Sequence, residues 1–140
     1  MDYTAGAEGV MKSIVFVCIG NACRSQMAEG FSRHYAGDTY LIYSAGSHPL
    51  GFVVSETVKV MKEKGIDISR HRSKGINDLP DIEFDIAVLM GCGDRCPTLK
   101  AKKRIEWDIP DPVGRPLDFF RETRDLIEEK VKQLLVESFQ

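Results

Sequence analysis

The residues "SIVFV" at 13–17, immediately before Cys18, constrain this chain more than any other stretch. An apolar, β-branched run without polar alternation fits a strand buried on both faces, and such strands belong to parallel sheets covered on both sides. "TYLIYSAG" (39–46), "FDIAVLM" (84–90) and the short "RIEWDI" (104–109) read as further strands. Helical patterns separate them. Ser25 opens one, with Met27, Phe31 and Tyr35 four apart. Ser55 reads as the N-cap of "ETVKVMKEKG", with Val58 and Met61 inward and Gly65 as its stop. Pro116 suits the first turn of a last helix carrying Phe119, Phe120, Leu126, Ile127, Val131, Leu134 and Leu135. The alternation predicts an α/β fold: a single three-layer domain, a four-stranded parallel sheet with flanking helices on both faces. Ligands of such sheets bind at the carboxyl ends of the strands. Cys18, Cys92 and Asp111 each follow a predicted strand, so one sheet edge is expected to gather all three.

The 140 residues suffice for one core, expected over 11–140. The opening "MDYTAGAEGV" is small and polar and reads as a flexible tail, 1–10, with Met11 a second candidate start. It lacks the basic-then-apolar order of a signal peptide. No apolar run is long enough to span a bilayer. The formal net charge of -2 argues against nucleic-acid binding. These features lead us to expect a cytoplasmic monomer. Four cysteines in that setting read as redox thiols or metal ligands rather than a disulfide framework.

The segment from Cys18 to Ser25 has the pattern C-x5-R-S: Cys18, Ile19, Gly20, Asn21, Ala22, Cys23, Arg24, Ser25. A short strand-to-helix loop turns successive backbone N–H groups into one concavity, and the helix N-terminus adds partial positive charge. Gly20 and Asn21 tolerate the positive φ that a tight loop needs. Arg24 can clamp two oxygens of a tetrahedral oxyanion. The same field favours a thiolate, so Cys18 reads as nucleophile and Ile19 to Ser25 as its oxyanion cradle. Ser25 can donate to the sulfur. Asp111, held extended by Pro112, is the candidate acid, with Asp108 its lesser competitor.

"VCIGNACRSQMAEG", together with "YSAG" (43–46), "GIDIS" (65–69) and "DPVG" (111–114), resembles the low-molecular-weight protein tyrosine phosphatase superfamily. Within it, the likeness is to the thioredoxin-coupled arsenate reductases. It runs from about Met11 to the C-terminus. The resemblance implies that Asp111 protonates the departing oxygen. It also implies a thiol relay: Cys18 attacks arsenate, Cys92 attacks Cys18 and releases arsenite, and Cys96 takes up Cys92 for an external reductant. The spacing of "GCGDRCP" by itself shows only that such a relay is feasible. Its C-x3-C is shorter than in several members. The reductant is therefore left as thioredoxin, or glutaredoxin with a low-molecular-weight thiol. No bound cofactor is expected. Phosphate or sulfate should mimic arsenate in the cradle.

Two alternatives stand beside this reading. One is a phosphotyrosine phosphatase using Cys18, Arg24 and Asp111, with weak phosphatase activity expected in either case. The other is a zinc- or redox-sensing module in which Cys18, Cys23, Cys92 and Cys96 bind metal. The spacings C-x4-C and C-x3-C, and the adjacent arginine, speak against the zinc site. Cys23 reads as a small buried apolar residue. In related reductases residues matching Asn21, Glu29 and Ser44 hold potassium. Lys74 falls at the fourth position, so its ammonium is expected to stand in for the ion and no metal is expected. The competing view makes Arg70, His71, Arg72 and Lys74 a solvated basic loop. "LKAKKR" (99–104) reads as a solvated helix face, the histidines 34, 48 and 71 as surface or capping residues, and Trp107 as core beside the acid loop.

Overall fold

The computed structural model describes residues 11–91 and 99–138. The expected tail, 1–10, and the second cysteine pair, Cys92 and Cys96, lie outside the described residues. Four parallel strands form the sheet: β1 (Lys12–Cys18), β2 (Tyr40–Gly46), β3 (Phe84–Met90) and β4 (Ala101–Trp107), in the order β2-β1-β3-β4. The helices are α1 (Arg24–Ala36), α2 (Ser55–Lys62) and α3 (Leu117–Ser138). The register brings Cys18 opposite Gly46 and Met90 opposite Trp107, so the strands' carboxyl ends align at one edge. β1 is flanked by β2 on one side and β3 on the other, and the chain leaves these strands in opposite directions. Cys18 therefore ends a strand at the topological switch point, where open parallel sheets leave a crevice.

As expected of a doubly covered strand, Ile14 to Val17 are fully buried. Ile14 and Phe16 face a large cluster with Met27, Phe31, Met61, Phe120, Ile127 and Val131, which all three helices build. Val15 and Val17 face a smaller one with Phe84, Ala87, Leu89 and Leu99. That second face is closed by a 3-10 turn, Ile76–Asp78, through Ile76 and Leu79. Right-handed crossover carries the β2-to-β3 connection over the face opposite α1. Here α2 first joins its neighbours on the α1 side, so the later part of the connection makes the crossing. Full burial of Phe31 alone contributes about 1.5–3 kcal/mol.

Several local expectations need correction. Residues 101–104 of "LKAKKR" are strand, not helix. β4 is an edge strand, and Lys102, Lys103 and Arg104 are exposed along it, which discourages pairing with another chain. The N-cap of α2 is Val54, with no side-chain cap, and Ser55 is its first helical residue. The buried side chains of α2 are Thr57, Val60 and Met61, while Val58 is half-buried against the core. Tyr35 and Leu126 are exposed. The first two turns of α1 are instead buried all round, Arg24, Gln26 and Glu29 included, because this helix lies between sheet, loop and α3.

Candidate active site

The cysteine loop owes its shape to a strap that sequence reasoning passed over, residues 47–54. Ser47 N donates to Cys18 O (3.1 Å), His48 N to Ile19 O (2.8 Å), Leu50 N to Gly20 O (3.0 Å) and Val54 N to Ala22 O (3.1 Å). In a planar trans peptide the carbonyl and the following N–H point opposite ways. Drawing these carbonyls outward turns the next amides inward. Asn21 N accordingly reaches Cys18 Sγ at 3.3 Å. Gly46 is needed for the fit: a Cβ there would lie 2.6 Å from Ile19 O and 2.9 Å from Asn21 N, both backbone atoms.

Asn21 occupies the left-handed region, with φ 48°. Its side chain holds it there. The amide donates to Ser25 Oγ (2.7 Å) and Ser44 Oγ (3.0 Å). Its Oδ1 accepts from Lys74 N (2.7 Å) and Gln26 Nε2 (2.9 Å). Ser25 Oγ lies 2.9 Å from Cys18 Sγ. α1 begins at Arg24 with no acidic residue in its first turn, so its positive end is left for an anion.

Arg24 is buried and donates from Nη1 to Ile109 O (3.0 Å), and its Nη2 is 3.7 Å from Asp111 Oδ2. Asp111 accepts from Val113 N through Oδ1, a turn that orients the carboxylate. Cys18, Gly20, Ala22, Cys23, Arg24, Asp111, Leu50 and Val113 line one cavity of about 180 Å³. The expected convergence of Cys18, Arg24 and Asp111 is thus present. Asp108 is exposed and does not line this cavity. Burial pushes the Cys23 thiol up to about 12, so it stays protonated at neutral pH. Trp107 packs against Phe16 beneath the acid loop, with ring centroids 5.9 Å apart.

Beneath the loop lies a buried polar layer. Glu29 accepts from Ser44 Oγ at 2.5 Å and from Arg33 Nε at 2.9 Å, and Lys74 Nζ stands 3.4 Å from its Oε1. Burial alone would raise this carboxyl, but the Ser44 hydrogen bond and the charges of Lys74, His71 and Arg33 hold it below the ordinary range. The basic loop therefore divides: Arg70 and Arg72 are solvated, while Lys74 turns inward. His71 also turns inward, contrary to its reading as a surface residue. Its Nδ1 meets Gln26 Oε1 at 3.0 Å, and Gln26 holds Asn21 and Arg72 O. Since Gln26 presents its oxygen, His71 Nδ1 is the donor. Burial lowers its pKa below the usual histidine value. Among the described residues no cluster of three or more His, Cys, Asp or Glu has the geometry to hold a metal ion.

The profile of the low molecular weight phosphotyrosine protein phosphatase family matches residues 13–140. The chain belongs to this family. Arsenate reductase 1 of Staphylococcus epidermidis is 43% identical over 125 residues, covering 86% of this chain and 93% of that protein. A solved arsenate reductase in its phosphate-binding state superposes with a TM-score of 0.83 at 33% identity, covering 91% of this chain and 98% of the other. The thioredoxin-dependent arsenate reductase of Corynebacterium glutamicum superposes with a TM-score of 0.75 at 28% identity, covering 91% of this chain and 61% of that one. Among the described residues no helix is long and apolar enough to cross a membrane.

Proposed function

We propose that this protein reduces arsenate to arsenite by a relay of three thiols. The observation that carries the reading is the position of the Cys18 sulfur. It lies within reach of Ser25 Oγ and Asn21 N, in a cavity that also receives Arg24 and Asp111. Relatives and neighbours that are arsenate reductases support the choice of oxyanion.

In the proposed cycle the Cys18 thiolate bonds to arsenic(V), and one arsenate oxygen leaves as water with a proton from Asp111. The loop amides and Arg24 spread the oxyanion's charge. The Cys92 thiolate then attacks Cys18 Sγ. The sulfur–arsenic bond breaks, its electron pair stays on arsenic, and arsenite departs as arsenic(III). Cys96 attacks Cys92, which frees Cys18 and leaves a Cys92–Cys96 disulfide. An external dithiol of the thioredoxin or glutaredoxin kind takes the two electrons' worth of oxidation away. Such a cycle suits a reducing compartment, the cytoplasm. Cys92 and Cys96 enter from their place in the sequence, after β3, whose carboxyl end lies beside that of β1.

A phosphate ester fits the same first step, since Cys18, Arg24 and Asp111 suffice for its hydrolysis. Residual phosphatase activity is therefore part of the proposal. The test is arsenite release with a thiol-reducing system, wild type against Cys92→Ser, with p-nitrophenyl phosphate hydrolysis in parallel. Wild type should turn over arsenate, and Cys92→Ser should stop while still hydrolysing the ester. Vigorous ester hydrolysis in both proteins, with no arsenate turnover under any thiol system, would overturn the reductase reading in favour of a phosphatase.

A further inference from the structure

Gly91 is the last described residue after β3, immediately before Cys92. Its φ is +74°, and a Cβ built on it would stand 2.3 Å from Arg24 Nη1 and 3.3 Å from Arg24 Cζ. No side chain fits there while the guanidinium keeps its place. We propose that Gly91 is a positioning residue for Arg24: its bare backbone forms one wall of the slot that aims the guanidinium into the oxyanion cavity. This rests on the reading of Arg24 as the anion clamp.

The atoms it would meet distinguish this glycine from Gly46, where a Cβ would strike backbone. The atoms it would strike are the far end of a long side chain, not backbone, so the fold can yield by moving them. What moves is then the functional group. Nη1 would leave Ile109 O, now 3.0 Å away, and Nη2 would shift relative to Asp111, now 3.7 Å away. Arg24 is only 5% exposed, so the open space beside the displaced fork is the oxyanion cavity it lines. Gly65 provides an internal control. It too has positive φ, +78°, but a Cβ there meets nothing within 4 Å. Alanine at either site adds similar backbone strain, and only at 91 does it touch the clamp.

The experiment measures inorganic phosphate binding by calorimetry, with thermal stability alongside. The proteins are wild type, Gly91→Ala, Gly65→Ala, Gly91→Asn, Arg24→Lys and the Arg24→Lys/Gly91→Ala double variant. Gly91→Ala should weaken phosphate by about tenfold or more, the size of one weakened charge-assisted hydrogen bond. Its stability loss should match that of Gly65→Ala, which should bind phosphate as wild type does. Asparagine tolerates positive φ but carries a Cβ, so Gly91→Asn should fold well and still bind weakly. In the Arg24→Lys background, which lacks the struck atoms, Gly91→Ala should change affinity less than about twofold.

Normal phosphate binding by Gly91→Ala or by Gly91→Asn, or full additivity with Arg24→Lys, would overturn the proposal. So would unfolding of Gly91→Asn. Failure of wild type to bind phosphate would sink the anion-clamp reading and this proposal with it. The expected pattern in a protein that does not turn over arsenate would leave Gly91's role standing and the reductase reading refuted.

Discussion

The side-chain amide of Asn21 donates to Ser25 Oγ at 2.7 Å, which holds that oxygen 2.9 Å from the Cys18 sulfur. A Cys18 thiolate can only accept, so in the attacking form the Ser25 hydroxyl donates to it. Ser25→Ala removes the donor from the thiolate and leaves a buried amide hydrogen of Asn21 unmet. A hydrogen bond to a charged group is worth about 1.5–3 kcal/mol, so kcat for arsenate and for p-nitrophenyl phosphate should both fall about 10- to 100-fold. The orphaned amide should also cost about 1–3 kcal/mol of stability. Denaturant melts with the two kinetic assays check both. A stability loss with undiminished turnover would make the hydroxyl purely structural.

Asp111 has a different exposure and so a different expected signature. Its side chain is 53% exposed at the mouth of the cavity, and it faces Arg24 at 3.7 Å. Asp111→Asn removes the proton that a departing oxygen takes, and a positioned general acid contributes about 10²–10⁴-fold. The same change frees Arg24 of a competing anion. Phosphate binding should therefore hold or tighten while kcat collapses. Weaker phosphate binding with near-normal kcat would assign Asp111 to substrate binding and leave the acid to be sought elsewhere.

The sheet and the cysteine loop were legible because each leaves a local pattern. "SIVFV" has no alternation, and C-x5-R-S puts its reactive residues within one short loop. β4 was harder. An edge strand buries little, so Lys102, Lys103 and Arg104 hide the periodicity that marks a strand. The strap at 47–54 left no pattern because it works through backbone amides, which every residue carries. Gly46 and Gly91 act by what they lack, and a sequence does not show which neighbour a missing side chain admits. His71 and Gln26 sit 45 residues apart and meet only in the fold. The Lys74–Glu29 pair was foreseeable only through the resemblance, which brought those two positions to a common cation site.

Cys23 lies in the same cavity as Cys18 yet should be chemically silent. Burial pushes its thiol to about 12, and Asp111 and the neighbouring sulfur push the same way. At pH 7 almost none of it is thiolate, the form that attacks. Iodoacetamide under native conditions should label Cys18 and leave Cys23 unlabelled, as read by peptide mass spectrometry. Cys23→Ala should keep turnover within a few-fold of wild type. A loss as deep as that of Cys18→Ser would place Cys23 in the relay.

Glu29 makes the last prediction one of pH. Its carboxyl is held below the ordinary range, although burial works against this, by Ser44 and by the charges of Lys74, His71 and Arg33. A folded-state value below the unfolded one, about 4.3, stabilises the fold above that pH. The contribution is lost as pH falls through the folded value, when Glu29 takes up its proton. Lys74→Met removes one of the charges and lets the carboxyl rise, so the loss begins at higher pH. Breaking a buried pair can cost about 3–5 kcal/mol, but Lys74 is partly solvated and Arg33 remains, so about 1–3 kcal/mol is expected at pH 7. The gap between variant and wild type should narrow on acidification as Glu29 becomes neutral in both, and the variant's acid-unfolding midpoint should lie at higher pH. Identical midpoints would mean that the ammonium does not act on Glu29. The ammonium already places a positive charge beside this carboxylate, so wild type should turn over equally in sodium and potassium buffers. A potassium requirement would show that the Lys74 charge leaves the site short of a cation.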